Sequence, residues 1–133
     1  MSEENVQIVQ RGFEHFEATG GFPPDAVDPE FVWDMSTFRG WPEEQTYPGV
    51  EGGERFLRAW LAAWEDWRLE VESLHDAGDK VVAVVRQQGR AKATGMRVDM
   101  TFAQVITVRD GQQVRMQMYA DPSEAFEAVG LSE

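Results

Sequence analysis

The stretch Met116-Gln117-Met118-Tyr119-Ala120-Asp121-Pro122-Ser123-Glu124-Ala125-Phe126 decides how this chain folds. Apolar residues recur there with the two-residue period of a strand, and the strand stops at Asp121. Asp121 fits a helix N-cap, Pro122 the first helical position, and Glu124 completes a capping box. Gly130 then fits a left-handed helix stop, with Leu131 as its apolar follower. Just upstream, Arg97 to Arg109 reads as a strand and Asp110-Gly111 as a tight hairpin turn. The expected result is a curved antiparallel sheet closed by a short helix, a shape that can hold a small apolar molecule. It also brings Arg97, Asp99 and Asp121 towards one end of the sheet.

The period of two extends further back. Leu69, Val71, Ser73 and His75 are expected on one side of a first strand. Asp76-Ala77-Gly78-Asp79 is a turn. In the next strand, Lys80 to Gly89, the Val81-Val82-Ala83-Val84-Val85 run reads as buried on both faces. Over the last two strands, Met100, Phe102, Ile106 and Val108 fall on one side. Ala103, Val105, Val114, Met116 and Met118 fall on the other. One apolar side packs helices; the other also needs cover, which suggests a homodimer interface.

The first half of the chain is helical in pattern. Val6, Val9, Phe13 and Phe16 make one stripe between Glu3 and Thr19. Phe56, Trp60 and Trp64 step by four in a second helix, Glu51 to Asp66. Between them lie a short strand, Phe31 to Met35, and an irregular stretch, Ser36 to Pro48. That stretch carries Phe38, Trp41 and Tyr47, as a lid or pocket wall would. Helices followed by a strand meander predict an α+β fold. The sheet is expected to be cone-shaped, curved and antiparallel, wrapped around the N-terminal helices, with a short C-terminal helix, all in one domain spanning residues 1–133.

Composition narrows the function classes. The net charge of −12 repels nucleic acid and anionic membranes. There is no cysteine, which removes disulfide and thiolate chemistry and suits a cytoplasmic setting. Its two histidines, His15 and His75, lack metal-motif spacing. No apolar run is long enough to span a membrane, and no phosphate loop occurs. Neither a metal nor a cofactor is expected.

Several segments resemble the nuclear-transport-factor-2-like superfamily, within it the SnoaL-like, ketosteroid-isomerase-like branch. They are Tyr47-Pro48-Gly49-Val50-Glu51-Gly52, Asp76-Ala77-Gly78-Asp79-Lys80-Val81-Val82, Arg109-Asp110-Gly111, and the closing Tyr119-Ala120-Asp121-Pro122-Ser123-Glu124-Ala125-Phe126 with Gly130-Leu131. The resemblance implies a conical cavity between helices and sheet, frequently in a homodimer. It does not imply one reaction, because the fold hosts polyketide cyclases, isomerases, epoxide hydrolases and non-catalytic proteins.

Two candidate sites follow. Arg97 and Asp99, two apart on a strand, resemble the arginine–aspartate element of epoxide-hydrolase-type members, with Asp121 as a second carboxylate. That element also wants a tyrosine and an asparagine around its water; Tyr47 is available, but Asn5 is the sole asparagine. Alternatively Asp121 resembles the general base of the cyclases, with Tyr119 as donor to an enolate and His75 as another possible base. With unbroken alternation Asp121 lies on the opposite face from Asp99; a bulge would reverse this. Trp33, Phe56, Trp60, Trp64 and Phe102 are the expected ligand-lining aromatics. Three functions fit: proton-transfer chemistry on an apolar carbonyl compound, non-catalytic binding of a lipid-like metabolite, or a structural dimer whose cavity is filled by its own tryptophans.

Overall fold

In the computed structural model, residues 3–131 are described, apart from 24, 39–42 and 44; Trp41 lies outside them. Helix α1 (Glu3–Thr19) leads to strand β1 (Val27–Asp34), the short β2 (Thr46–Pro48) and helix α2 (Gly49–Ala62). Strands β3 (Trp64–Ala77), β4 (Lys80–Ala91), β5 (Arg97–Arg109) and β6 (Gln112–Tyr119) then meander to helix α3 (Pro122–Ala128). They form one six-stranded sheet in the order β2-β1-β6-β5-β4-β3. The sheet is curved and not closed into a barrel. It departs from a purely antiparallel arrangement at one seam, where β1 runs parallel to β6.

Helices cover both faces of this sheet. On the inner face, residues of α1 and α2 pack against Val81, Ala83, Val85, Phe102, Ile106 and Met116. On the outer face α3 lays Ala125 and Phe126 over Val82, Val84, Ala103 and Val105. The Val81–Val85 run is buried throughout, as its composition predicts. The outer apolar strip that suggested a dimer interface is therefore covered within the chain.

The sheet has several register slips, one of them between Glu65 and Arg68 at the start of β3, and two others decide the faces of residues named above. Between β5 and β6 the register slips at Thr107/Val108, inserting Val114. Thr107 then pairs with Arg115, Ile106 with Met116 and Ala103 with Tyr119. Met116 and Met118 thus join the inner face with Phe102 and Ile106, not the outer face with Ala103 and Val105. A second slip, between Val71 and Ser73, sends Ser73 and His75 to the outer face while Leu69 and Val71 stay inside.

Helix α2 is shorter than its four-residue aromatic step suggests. It ends at Ala62, and Trp64 already pairs with Ala91 in the sheet. The Trp60 and Trp64 rings still meet, at 5.5 Å, across the chain reversal. Two local signals match their reading. Asp110 and Gly111 both adopt positive φ in the β5–β6 turn. Asp121 caps α3 by accepting from the Ser123 N–H at 3.0 Å.

Gly52 sets how closely α2 approaches β2. A Cβ at this position would lie 2.7 Å from the Tyr47 carbonyl carbon, which is backbone and cannot swing away. Gly52→Ala should therefore destabilise the protein by about 1–3 kcal/mol, although alanine favours helices. Urea unfolding would measure it; an unchanged or higher midpoint would contradict the close approach.

Candidate functional site

The inner face lines a half-open cavity of about 90 Å³ between α1, α2 and the sheet. Aromatic rings build its wall. Trp33 stacks on Phe56 at 4.8 Å, and Phe56 lies parallel to Trp60 at 6.0 Å. Phe22 continues the stack beyond Trp33 at 6.1 Å. Across the cavity, Phe38 meets the edge of Phe102 at 6.5 Å. Met35, Met100, Met116 and Met118 fill the spaces between, as flexible thioethers do in irregular apolar sites.

Four of the five expected aromatics, Trp33, Phe56, Trp60 and Phe102, line this cavity, and Phe38 of the expected wall segment joins them. Trp64 backs Trp60 without reaching the lining. Tyr47 is buried behind Phe56, at 5.3 Å, with the Arg55 guanidinium over its ring.

None of the five expected catalytic side chains lines the cavity. Asp99 lies on the outer face, opposite Gln88, and pairs with Arg86 rather than Arg97. Arg86 Nε donates to Asp99 Oδ1 at 2.9 Å and Nη2 to Oδ2 at 2.6 Å. Arg97 is exposed at the strand start, opposite Arg90. The β6 bulge does put Tyr119 on the same face as Asp99, but that is the face away from the cavity, where Tyr119 packs near Phe126. Asp121 is committed to the α3 cap. His75 meets the Phe126 ring edge-on at 4.8 Å and bonds Ser73 Oγ at 2.9 Å.

Three polar residues in the lining were not among the expected ones: Gln87, Gln104 and Gln113. Gln87 is 1% exposed and accepts a 2.7 Å hydrogen bond from the Trp60 indole. Its signal was present in the sequence, as a glutamine on the inner period of an otherwise apolar strand. A buried acid, Asp34, was also missed. It faces outward, accepts from the Ser36 N–H at 2.8 Å, and is bound by Arg115. The pair ties β1 to β6 and does not open onto the cavity. No described cavity-lining residue has an ionisable side chain. Among the described residues, no three His, Cys, Asp or Glu side chains group as a metal site, and no helix is long and apolar enough to cross a membrane.

A family profile for the SnoaL-like domain matches residues 10–116. The chain belongs to the SnoaL-like family. Solved structures agree on the fold. A protein described as a SnoaL-like polyketide cyclase from Jannaschia sp. CCS1 is 21% identical, covers 100% of this chain and 98% of its own, and superposes with a TM-score of 0.73. A nuclear-transport-factor-2-like protein from Burkholderia thailandensis E264 is 25% identical over 96% of this chain and 98% of its own, with a TM-score of 0.76. TerC, crystallised with polyporic acid, is 19% identical over 96% and 99%, with a TM-score of 0.71. Comparison with curated protein sequences finds no match.

The outer-face ion pair of this SnoaL-like chain has a pH signature. Hydrogen bonding from Arg86, reinforced by its charge, holds the Asp99 carboxyl below the usual carboxylate range. Its folded-state pKa is depressed, so the pair's contribution is present above the ordinary aspartate pKa and is lost as pH falls through the lowered value. Carboxyl NMR titration should find Asp99 below about 3.9 and moving upward in Arg86→Gln. An Asp99 titration that Arg86→Gln leaves unchanged would show that the bidentate geometry does not persist in solution.

Proposed function

We propose that this protein binds one small, neutral, predominantly apolar molecule on the inner face of its sheet. The observation that carries this reading is the described lining: aromatic, aliphatic and thioether side chains with three glutamines and no ionisable group. Such a surface favours a ligand that sheds little hydration on entry and disfavours a charged one. The family's fold, and a structurally similar protein crystallised with polyporic acid, support a pocket for small molecules.

Size bounds the ligand. The cavity measures about 90 Å³, whereas an engineered apolar cavity of about 150 Å³ takes up benzene. A single-ring molecule therefore needs modest side-chain movement, and a polycyclic one far more. Binding without proton transfer is the reading favoured over cyclase or isomerase chemistry. A general base must come within hydrogen-bond reach of the proton it removes, and Asp99, Asp121 and His75 have outer-face or capping partners instead. The proposal extends to a homodimer, implied by the family resemblance, and to a cytoplasmic setting, suggested by the cysteine-free composition.

Thermal shift and native mass spectrometry with single-ring neutral compounds test this. A compound at ten times its Kd should raise Tm by about 5 °C. Leu69, which lines the cavity at a half-buried position, offers the control. Leu69→Phe should fold, fill the space and abolish the shift. If no compound binds, or if Leu69→Phe responds as the wild type does, the cavity is not the ligand site.

A further inference from the structure

The cavity has a specific polar deficit. Gln87, nearly fully buried, uses its Oε1 to accept the Trp60 indole N–H at 2.7 Å. An indole nitrogen can only donate, so this bond determines which end of the amide is oxygen and leaves Nε2 as the remaining end. Among the described residues, Gln87 Nε2 has no hydrogen-bond partner, and neither does Trp67 Nε1. Both side chains line the cavity.

The two residues lie on adjacent strands of the sheet. Leu69 pairs with Gln87 across β3 and β4, and Trp67 is two residues before Leu69 on the same face. Gly89 lies against this segment of β3: a Cβ there would come 3.2 Å from the Trp64 ring and 3.5 Å from Trp67 Cα. Gly89 and Gln87 are two residues apart on one strand face, a spacing of about 7 Å. Buried N–H donors are costly when unmatched, so a ligand that supplies an acceptor gains over one that does not.

Resting on the pocket reading above, we propose that Gln87 and Trp67 form a two-donor clamp for a neutral oxygen acceptor. The ligand class is a carbonyl oxygen on an otherwise apolar ring, with Trp60 as the positioning residue that aims the amide. Gln87 Oε1 is already engaged, so the pair offers donors only. The described lining holds no cation to balance an anionic oxygen, which favours the neutral acceptor. In the unliganded protein a water can satisfy these donors, and a ligand oxygen replaces its hydrogen bonds where a hydrocarbon cannot.

Acetophenone and ethylbenzene are the matched probes, alike in shape and differing at the oxygen. The wild type should bind acetophenone roughly tenfold or more tightly than ethylbenzene. Gln87→Leu should erase that preference by weakening acetophenone while leaving ethylbenzene bound, and Trp67→Phe should reduce it with the aromatic packing kept. The carbonyl stretch of bound acetophenone should fall to lower frequency than in an alkane solvent, a readout that general loss of packing would not produce. Should Gln87→Leu fail to fold, Trp67→Phe and the carbonyl stretch decide. Equal binding of the two probes, a preference that survives Trp67→Phe and Gln87→Leu, or an alkane-like stretch would overturn the clamp while leaving the pocket intact. Binding of neither probe would overturn the pocket reading and the clamp with it.

Discussion

Side chains alternate strictly across a β-strand, so one inserted residue moves everything beyond it to the opposite face. Here two such slips decide where the candidate residues face. Val114 slips into β6 and carries Met116 and Met118 inward while turning Tyr119 outward. The slip near Glu72 in β3 keeps Leu69 and Val71 inside and turns His75 out. The β6 bulge brings two thioethers into the cavity lining and keeps the Tyr119 phenol out of it, and the β3 slip puts the His75 imidazole on the outer face.

What the inner face then holds is a packed aromatic wall with a small void. Phe22, Trp33, Phe56 and Trp60 form a continuous stack spanning α2, β1 and the segment after α1. Its two buried members, Trp33 and Phe56, each contribute roughly 1.5–3 kcal/mol. The stack holds Trp60 where its indole meets Gln87, so helix packing and amide orientation are set by the same rings. On the outer face α3 seals the strip over Val82, Val84, Ala103 and Val105. The Arg86–Asp99 pair stands beside it in solvent, where a salt bridge stabilises little.

Much of the fold was legible because its signals are local. The apolar stripe of α1, the Asp110-Gly111 turn and the Asp121-Pro122 cap each depend on a few adjacent residues, and each forms where it was read. The face assignments were not legible, because neither bulge has a glycine or proline to mark it. Trp64 misled for a related reason: a ring that meets its neighbour across a chain reversal keeps the four-residue spacing of a helix. The parallel β1–β6 seam depends on a long-range pairing that no local pattern encodes. Four of the five aromatics named in advance line the cavity, but Phe22, Phe31 and Trp67 of the wall were not among those named, because which face a ring joins depends on the long-range packing of strands and helices. The acid–base candidates came from resemblance and strand parity, and parity fails at a bulge.

The central claim, that the inner face and not the outer one receives a small neutral molecule, can be tested with methyl NMR. Met100, Met116 and Met118 line the cavity, while Met96 is 64% exposed and serves as an internal control. Titration with a single-ring ligand should shift the three cavity methyls together and leave Met96 unmoved. Shifts confined to Met96, or cavity methyls that stay fixed at saturating ligand, would contradict the claim.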